Sequence, residues 1–533
     1  MTKLTQKQIE EKRDHVVNIL WSASNALRGT MDSSVFMNYI LGTLTYFVLS
    51  DKLHRKIASS LGKDVKDIPF NEKDNSELSK SKNIITKLTG YWISPKNSFN
   101  SIINKIDNRE IDWLQSWKEG MNEIQDNGNN TSNLKGLFSG IDVDTPNLAP
   151  TVTERQNKLS RLLKIINQIQ INSTHSEDIE ILGDSYEYLL GKFASGSGKK
   201  GGEFYTPKEV SQILANITTY YKPDAKDVYD FACGSGSLLL KAAKNIFVKT
   251  GKYPKIYGQE LAVTTWNLAR QNMLLHEIKS DKFALVNGNT IENPDYFGGI
   301  KHDIEVNNAP FNSHAVEKGV VYTTVIPNDQ RWQWTGTTIP DGSLNWAFLL
   351  TGLHTLDING IMASVMSLGV LTSGGKEGDI RKKVIANRNW IHAIIELPKN
   401  LFSNASVPAC ILVFRKNRKV NDKVLFVNAS ELETFKAGPK QVLTDKTVKE
   451  ICDIVNLRKE INEVSKLIDL KEIAKNDYSL SVNKYVIKKT VYQNIDIKSL
   501  QDSFVTMKNE LDKEWKEFEK MKSELVETGG EDE

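Results

Sequence analysis

Residues 306–314 read VNNAPFNSH and place a carboxamide, a proline and an aromatic ring at the end of an apolar run. The exocyclic amine of a nucleobase is a poor nucleophile, because its lone pair is delocalised into the ring. Two acceptors for its hydrogens, the Asn308 side-chain oxygen and the Ala309 carbonyl, would direct that lone pair toward attack, and Pro310 would fix the turn. Phe311 offers a face for stacking a planar base, worth about 1–3 kcal/mol. The segment therefore predicts methylation of a base amine by alignment and preorganised acceptors, without a strong base. By itself it could also be only a turn that ends a strand.

A second segment with chemical potential is YDFACGSGSLLLKAAKNIF, in which a predicted strand ends at Asp230 and a predicted helix follows Gly236. Glycine lets the backbone turn sharply and approach a ligand closely. Gly234, Ser235 and Gly236 lack the full G-x-G-x-x-G spacing, and no phosphate-binding P-loop occurs elsewhere, so ATP is not indicated. By itself the turn could serve a dinucleotide, a nucleoside or only a tight bend.

Polar residues end four successive predicted strands, at Asp230, Glu260, Asn289 and Asn308. Ligands of open α/β sheets bind at the carboxyl ends of the strands, and an acidic residue after the glycine turn can bind ribose hydroxyls. We expect Glu260 to take that role and Asn289 to be a polar partner for a base. A ligand with a nucleoside part would lie across the first three strand ends, with chemistry at Asn308.

The elements that must position these residues form an alternating pattern of strands and helices. Thr206 is predicted to cap a helix that has Pro207 at its first position. The alternation predicts an α/β fold with a mainly parallel, doubly wound sheet. The predicted strands are 228–232, 255–260, 283–289, 303–308, 360–366, 391–397 and 410–415.

Helical segments flank this alternation. Residues 35–53, VFMNYILGTLTYFVLSDKL, have apolar side chains on nearly all sides, which predicts a buried helix in an N-terminal helical domain. Near the C-terminus, apolar residues recur three or four apart from Leu500 to Leu525, which predicts an amphipathic helix with a coiled-coil-like seam. This helix could pack on its own domain or against a partner subunit.

Composition narrows the class of protein further. The 533 residues carry a formal net charge of only +3, so a nucleic-acid surface would have to be local. The three cysteines are far apart, which excludes a disulfide framework or a metal-ligand spacing and favours a reducing cytoplasm. We expect neither a signal peptide nor a membrane-spanning helix, because the N-terminal residues are charged and no stretch of about 18 apolar residues occurs.

With these motifs in hand, the sequence resembles amino-methyltransferases that use S-adenosylmethionine, with DFACGSG as glycine motif and NAPF where the family has Asn-Pro-Pro-Phe or Tyr. Over nearly its full length it is similar to the modification (M) subunits of type I restriction-modification systems. The resemblance rests on LWSASNALRGTMDSSVFMNYILG, GLFSGIDVDTPNLAPTVTERQNKLSRLL, LGDSYEYLL, GGEFYTP, GGKEGDIRKKVI, LPKNLF and NDYSLSVNKYV.

The resemblance implies roles for individual residues. Tyr205 and Thr206 would lie near the methionine part of the cofactor, Asp230 and the glycine turn would hold its methionine and ribose region, and Asn289 would lie near its adenine. The catalytic segment would consist of Asn308, Ala309, Pro310 and Phe311. The cofactor-binding residues would be Glu203, Phe204, Tyr205, Thr206, Pro207, Lys208, Asp230, Gly234, Ser235, Gly236, Ser237, Glu260 and Asn289.

The resemblance also implies the reaction and the partners. The chain would transfer a methyl group to N6 of a flipped adenine in a specific double-stranded DNA sequence. Two copies would join one specificity (S) subunit that selects the target, and a motor-nuclease (R) subunit would join for restriction. The implied domains are a helical domain at 1–165, a Rossmann-like methyltransferase domain at 166–480 and a helical tail for partner packing at 481–533.

Two residues depart from the family pattern. Ala309 replaces the usual first proline, which keeps the carbonyl but loses rigidity. Cys233 replaces a common alanine and is expected to pack in the core.

Two rival interpretations stay open at this point. The chain could methylate glutamine in protein or a base in RNA, or it could be an inactive scaffold.

Overall fold

The computed structural model describes residues 6–27, 33–62, 76–126, 133–170, 176–196, 206–311, 316–317, 320–321, 329–340, 342–402, 408–438, 440–487 and 497–528. The chain forms two compact units, Met1–Val486 and Ile487–Glu533. The predicted boundaries near residues 165 and 480 stay a prediction. Among the described helices, none combines the length and the apolar character that crossing a membrane requires.

The N-terminal region is helical, as predicted. Helix α2 is buried along residues 39–50, in keeping with its apolar sides. Thr151 and Glu154 form a capping box at the start of α6, which satisfies backbone N–H groups that a helix end otherwise leaves free. The helices are α1 Gln6–Leu27, α2 Ser33–Leu61, α3 Ser76–Thr89, α4 Phe99–Asp107, α5 Trp113–Asp126, α6 Val152–Ile166 and α7 Ser176–Gly196.

The strands confirm the α/β prediction, and all seven predicted strands are present. The structure adds β10, β13 and two short antiparallel pairs, β5 with β6 and β11 with β12. The strands are β1 Asp227–Asp230, β2 Lys255–Glu260, β3 Phe283–Asn287, β4 His302–Asn308, β5 Val316–Glu317, β6 Val320–Val321, β7 Leu356–Ser367, β8 Ile391–Glu396, β9 Ala409–Arg415, β10 Val424–Asn428, β11 Thr434–Ala437, β12 Lys440–Leu443 and β13 Ser465–Ile468.

Among the described residues, nine strands form one sheet in the order β13-β10-β8-β9-β7-β4-β1-β2-β3. Strands β9 and β13 run antiparallel to their neighbours, and the others run parallel. The chain passes from β1 outward to β2 and β3, and then returns to β4 on the other side of β1. This reversal of strand order opens the crevice in which doubly wound sheets bind ligands.

Helices cover both faces of the sheet. These helices are α8 Lys208–Tyr221, α9 Ser237–Thr250, α10 Val263–Leu275, α11 Gln330–Gln333, α12 Asn345–Thr355, α13 Gly375–Ala386, α14 Asp445–Asn456 and α15 Leu470–Lys475. Apolar residues of α8, α9, α10 and α14 form one core, and those of α12 and α13 form another. Val228 faces the first core and Tyr229 the second, as the alternation of a strand buried on both faces requires.

The N-terminal helices pack on the sheet region through α10. The buried Arg270 guanidinium donates to the carbonyls of Asn133 and Lys135, at 3.1 and 2.7 Å. The Asn133 carboxamide in turn donates to the carbonyl of Phe283 in β3, at 2.6 Å. These contacts tie the region before α6 to the helix that supports the glycine turn.

Helix α16, Ile497–Thr528, lies in the second compact unit. Its seam residues from Leu500 to Met521 are all more than half exposed. The predicted amphipathic helix is therefore present, with its apolar stripe uncovered along the described residues.

Candidate active site

The glycine turn between β1 and α9 is built by backbone conformations that favour glycine. Gly234 and Gly236 have φ values of 53° and 78°, and Gly236 stands at the N-cap of α9. A Cβ on Gly236 would come within 2.8 Å of the Met273 side chain. The buried Asn272 carboxamide donates to the Ser235 carbonyl at 3.0 Å, so α10 holds the turn from behind. The Ser235 and Ser237 hydroxyl oxygens lie 3.1 Å apart.

Two buried carboxyl groups flank this turn. Glu260 accepts from the backbone N–H groups of Gly234 and Ala262, at 3.0 and 2.8 Å. Burial raises the pKa of Glu260, and these backbone donors partly offset the rise. Burial also raises the pKa of Asp230 well above its usual range, and nearby Glu260 adds to the rise.

Asp230 uses only one of its carboxyl oxygens within the described structure. Oδ1 accepts from the Ala232 backbone N–H at 2.9 Å, whereas Oδ2 is buried and has no hydrogen-bond partner among the described residues. Leaving a buried acceptor unsatisfied costs about 1–3 kcal/mol, so such an atom marks a place for a donor. A ligand with a nucleoside part and an amino-acid part would offer such donors in its ribose hydroxyl groups and its ammonium group.

Strand register brings the catalytic segment to the same edge. Tyr229 pairs with Glu305, so Asp230 lies beside Val306, and Asn308 lies two residues further toward the carboxyl end. On the other side of β1, Asp230 pairs with Gly258, so Glu260 also lies two residues further. Asn308 and Glu260 thus stand on either side of the glycine turn.

Asn308 is held by a contact that spans 102 positions of sequence. Its carboxamide nitrogen donates to the Thr206 hydroxyl at 3.0 Å. Its Oδ1 atom is buried and has no hydrogen-bond partner among the described residues. The side chain therefore presents an acceptor to an incoming donor, which is what activation of an exocyclic amine requires.

The same contact overturns one prediction. Thr206 does not cap α8, because Pro207 occupies the N-cap position and the helix begins at Lys208. The Pro207 carbonyl accepts from the Ser211 backbone N–H at 2.9 Å. The hydroxyl that was expected to bind the first helical turn instead binds Asn308, because the fold brings the end of β4 beside it.

Asn289 lies beyond the strand predicted to carry it, since β3 ends at Asn287. Its Oδ1 atom accepts from the Ile291 backbone N–H at 3.0 Å, so this oxygen forms part of a local turn. Asn287 donates instead to the carbonyls of Glu260 and Leu261, at 2.9 and 2.8 Å. The role of Asn289 near a cofactor base stays a prediction.

The other residues of the predicted catalytic segment differ in burial. Ala309 is buried in the core beneath α12, whereas Pro310 and Phe311 are partly exposed. The Phe311 ring meets Phe402 in a T-shaped contact with ring centroids 5.6 Å apart. Phe402 therefore supports the ring that was predicted to stack on a base.

Three predicted residues, Glu203, Phe204 and Tyr205, lie outside the described residues. Sequence reasoning did not assign the supporting residues Asn272, Asn287 and Phe402 to the site. No spacing signal marks them, because each reaches the site through tertiary packing. Cys233 is buried, and burial raises its pKa well above the usual range, which fits the expected packing role.

With the geometry established, comparison with known proteins identifies the family. A family model described as N-6 DNA Methylase matches residues 177–494, and one described as HsdM N-terminal domain matches residues 16–166. The chain belongs to the N-6 DNA methylase family. The first of these matches alone covers more than half of the chain and includes every described site residue.

Individual relatives agree with this assignment. The chain is 32% identical to the type I restriction enzyme MpnII methylase subunit of Mycoplasma pneumoniae, over 93% of this chain and 94% of that protein. It is 30% identical to the MjaVII methylase subunit of Methanocaldococcus jannaschii, over 76% and 67% of the two chains. The crystal structure of the type I restriction-modification methyltransferase subunit from Streptococcus thermophilus matches with a TM-score of 0.80 and 28% identity, over 89% of this chain and 99% of that chain.

The recognised resemblance is therefore confirmed. The chain is a type I methylase subunit with an adenine-N6 DNA methyltransferase domain. The role of each site residue stays a prediction.

Proposed function

We propose that this methylase subunit transfers a methyl group from S-adenosylmethionine to N6 of an adenine flipped out of a specific double-stranded DNA sequence. The observation that carries the proposal is the orientation of Asn308. Its nitrogen donates to Thr206 while its buried oxygen has no described partner. An adenine amine supplies the hydrogen that such an oxygen lacks.

The residues at the glycine turn fit the proposed cofactor. Asp230 offers a buried acceptor without a described partner, and Gly234 and Gly236 let the backbone come close to a ligand. Glu260 is held by backbone N–H groups at the position expected for a ribose partner. S-adenosylmethionine would supply an electrophilic methyl group there.

The protein's own task is to align the adenine amine. Asn308 Oδ1 and the Ala309 carbonyl would accept its two hydrogens and localise the nitrogen lone pair toward the methyl group. Phe311 would stack on the base, which repays part of the few kcal/mol that unstacking the adenine costs. As the amine gains the methyl group it becomes acidic and would release one proton to water, so alignment and fixed acceptors suffice.

Radiolabelled methyl transfer tests this assignment directly. The subunit would be assembled with its specificity subunit and supplied with duplex DNA and labelled cofactor. We expect label at adenine N6, and a loss of at least about 100-fold in kcat for Asn308→Ala, because a preorganised acceptor is removed.

A surface asparagine provides the matched control. Asn417 follows β9, which runs antiparallel and so ends at the opposite edge of the sheet. Asn417→Ala should methylate normally. Label found only in protein or RNA would refute the proposed substrate, and unchanged methylation by Asn308→Ala would refute the proposed catalytic role.

We further propose that two copies of this subunit bind one specificity subunit, with a motor-nuclease subunit added for restriction. The net charge of only +3 is in keeping with a chain whose DNA target is recognised by a partner subunit. Helix α16 carries exposed apolar residues at coiled-coil-like spacing, including Leu511, Trp515 and Phe518. Burying such a stripe against another helix would stabilise a complex.

Charge substitutions on two faces of α16 test the partner surface. Leu511→Lys with Phe518→Lys should abolish co-purification with the specificity subunit, because each places a charge in the apolar stripe. Thr506→Lys with Ser523→Lys adds the same charge on the polar face and should leave co-purification at the 2:1 ratio. Equal retention of the partner by both double variants would contradict the role of the stripe.

A further inference from the structure

Thr206 and Asn308 meet at the start of α8 and the end of β4. Thr206 lies immediately before Pro207, whose ring restricts its own φ and confines the preceding residue to extended conformations. Asn308 ends a buried parallel strand paired to β7, with its own partner at Val365. Both backbones are therefore constrained on either side of the 3.0 Å hydrogen bond between the two side chains.

The orientation of the Asn308 carboxamide decides what it offers to a substrate. Turned by half a rotation about its terminal torsion, the group would present two N–H donors in place of an oxygen. A substrate amine is itself a donor, so that orientation would repel it. In the observed orientation the Thr206 hydroxyl accepts from Nδ2, so this contact holds the carboxamide while Oδ1 has no described partner.

The hydroxyl has no competing task among the described residues. It makes no described hydrogen bond to the first turn of α8, whereas the Ser211 hydroxyl donates to the Pro207 carbonyl at 3.1 Å. The Asn308 amide is the one partner that the described structure gives it. A capping role therefore does not account for a hydroxyl at this position.

We propose that Thr206 is a positioning residue for the methyl transfer, which orients the Asn308 carboxamide so that its oxygen faces the adenine amine. This inference rests on the proposed function of Asn308. It assigns to Thr206 a role in the chemical step, in place of the cofactor contact that the family resemblance implies. Losing the hydroxyl would leave the Asn308 carboxamide nitrogen without this acceptor and free to turn toward others.

The test compares Thr206→Val with Thr206→Ser in the complex with the specificity subunit. Valine keeps the shape and removes the acceptor, whereas serine keeps the acceptor. We expect kcat at saturating cofactor and DNA to fall about 10–100-fold in Thr206→Val, because small misplacements of a reacting group have effects of this size. Thr206→Ser should recover kcat to within about threefold of wild type, because the acceptor is retained.

Cofactor affinity separates positioning from binding. The Kd of S-adenosylmethionine, measured by calorimetry, should stay within about twofold of wild type in Thr206→Val, because the proposed contact is to Asn308. Thr218→Val is the matched control for removing a threonine hydroxyl in the same region. Thr218 is buried in α8 and donates to the Leu214 carbonyl of its own helix at 2.8 Å. The kcat of the Thr218→Val variant should therefore equal that of wild type.

Each result bears on the proposal. An unchanged kcat in Thr206→Val would overturn it, and so would a loss of kcat that serine does not recover. If Thr206→Val does not fold, Thr206→Ala replaces it in the same comparison. Asn308→Ala in the same assay separates the two proposals. Loss of methylation by Asn308→Ala with normal kcat in Thr206→Val would overturn the Thr206 role and leave the proposed function standing.

Discussion

At the scale of single residues, the site depends on which polar atoms are satisfied by the protein and which are left for a ligand. Asn308 Oδ1 and Asp230 Oδ2 are both buried and have no described partner, whereas Glu260 is bound by two backbone N–H groups. Asn308 and Asp230 thus each have a buried oxygen available to a ligand, whereas the Glu260 carboxyl group is already oriented by backbone donors. Ala309 stands where the family resemblance implies a proline, so the backbone at this position is less rigid than that pattern.

Ala309→Pro should keep or raise kcat for DNA methylation. Asn308 already has the extended conformation that a following proline demands, and a fixed φ would hold the carbonyl of residue 309 in place. Ala309→Gly is the opposing variant and should lower kcat, because glycine gives the backbone at residue 309 more conformational freedom. Steady-state methylation of duplex DNA measures both. A large loss in Ala309→Pro would mean that this carbonyl is aligned differently from the family pattern.

At the scale of elements, the site is assembled by the ends of strands and the starts of helices. The turn from β1 into α9 needs left-handed backbone at Gly236, and α10 packs directly behind it through Met273. The turn is therefore limited both by its own conformation and by a neighbouring helix. Gly251 ends α9 with a similar φ of 73° but has open space around its Cα.

These two glycines give a matched pair of substitutions. Gly236→Ala and Gly251→Ala should each cost about 1–2 kcal/mol of stability from left-handed strain. Gly236→Ala should in addition weaken S-adenosylmethionine binding, because its Cβ would push Met273 or the turn itself out of place. Thermal unfolding measures the first effect and calorimetry the second. Equal cofactor affinity in the two variants would argue against a binding role for the turn.

At the scale of the whole molecule, one edge of the sheet carries the proposed active site, and the opposite edge carries a partly buried cluster of basic side chains. At the opposite edge, buried His392 lies within hydrogen-bond distance of Arg418 and Arg458, and the Tyr221 hydroxyl is 3.0 Å from Nε2. Burial lowers the pKa of His392 to about 2, and the charges of Arg458, Arg418 and Arg415 add to the effect. The ring is therefore neutral in the folded protein at ordinary pH.

A neutral buried histidine makes stability depend on pH. Because the unfolded chain binds a proton near pH 6.5 and the folded chain does not, the contribution of His392 to stability is complete above pH 6.5. It is lost as the pH falls below that value, by about 1.4 kcal/mol per pH unit. Urea unfolding of wild type and His392→Gln between pH 7 and pH 5 measures the difference. A difference that does not change with pH would show that His392 takes up a proton as readily in the folded as in the unfolded protein.

The sequence by itself determined the strand and helix alternation and the glycine turn, and it predicted the catalytic segment, because those features are local. Polar residues at Asp230, Glu260 and Asn308 could be assigned to one sheet edge since parallel strands share their carboxyl ends. Only the tertiary structure decided which partner each side chain meets. Thr206 was expected to cap a helix and instead binds Asn308, because hydrogen bonds between distant segments depend on packing that no local spacing encodes.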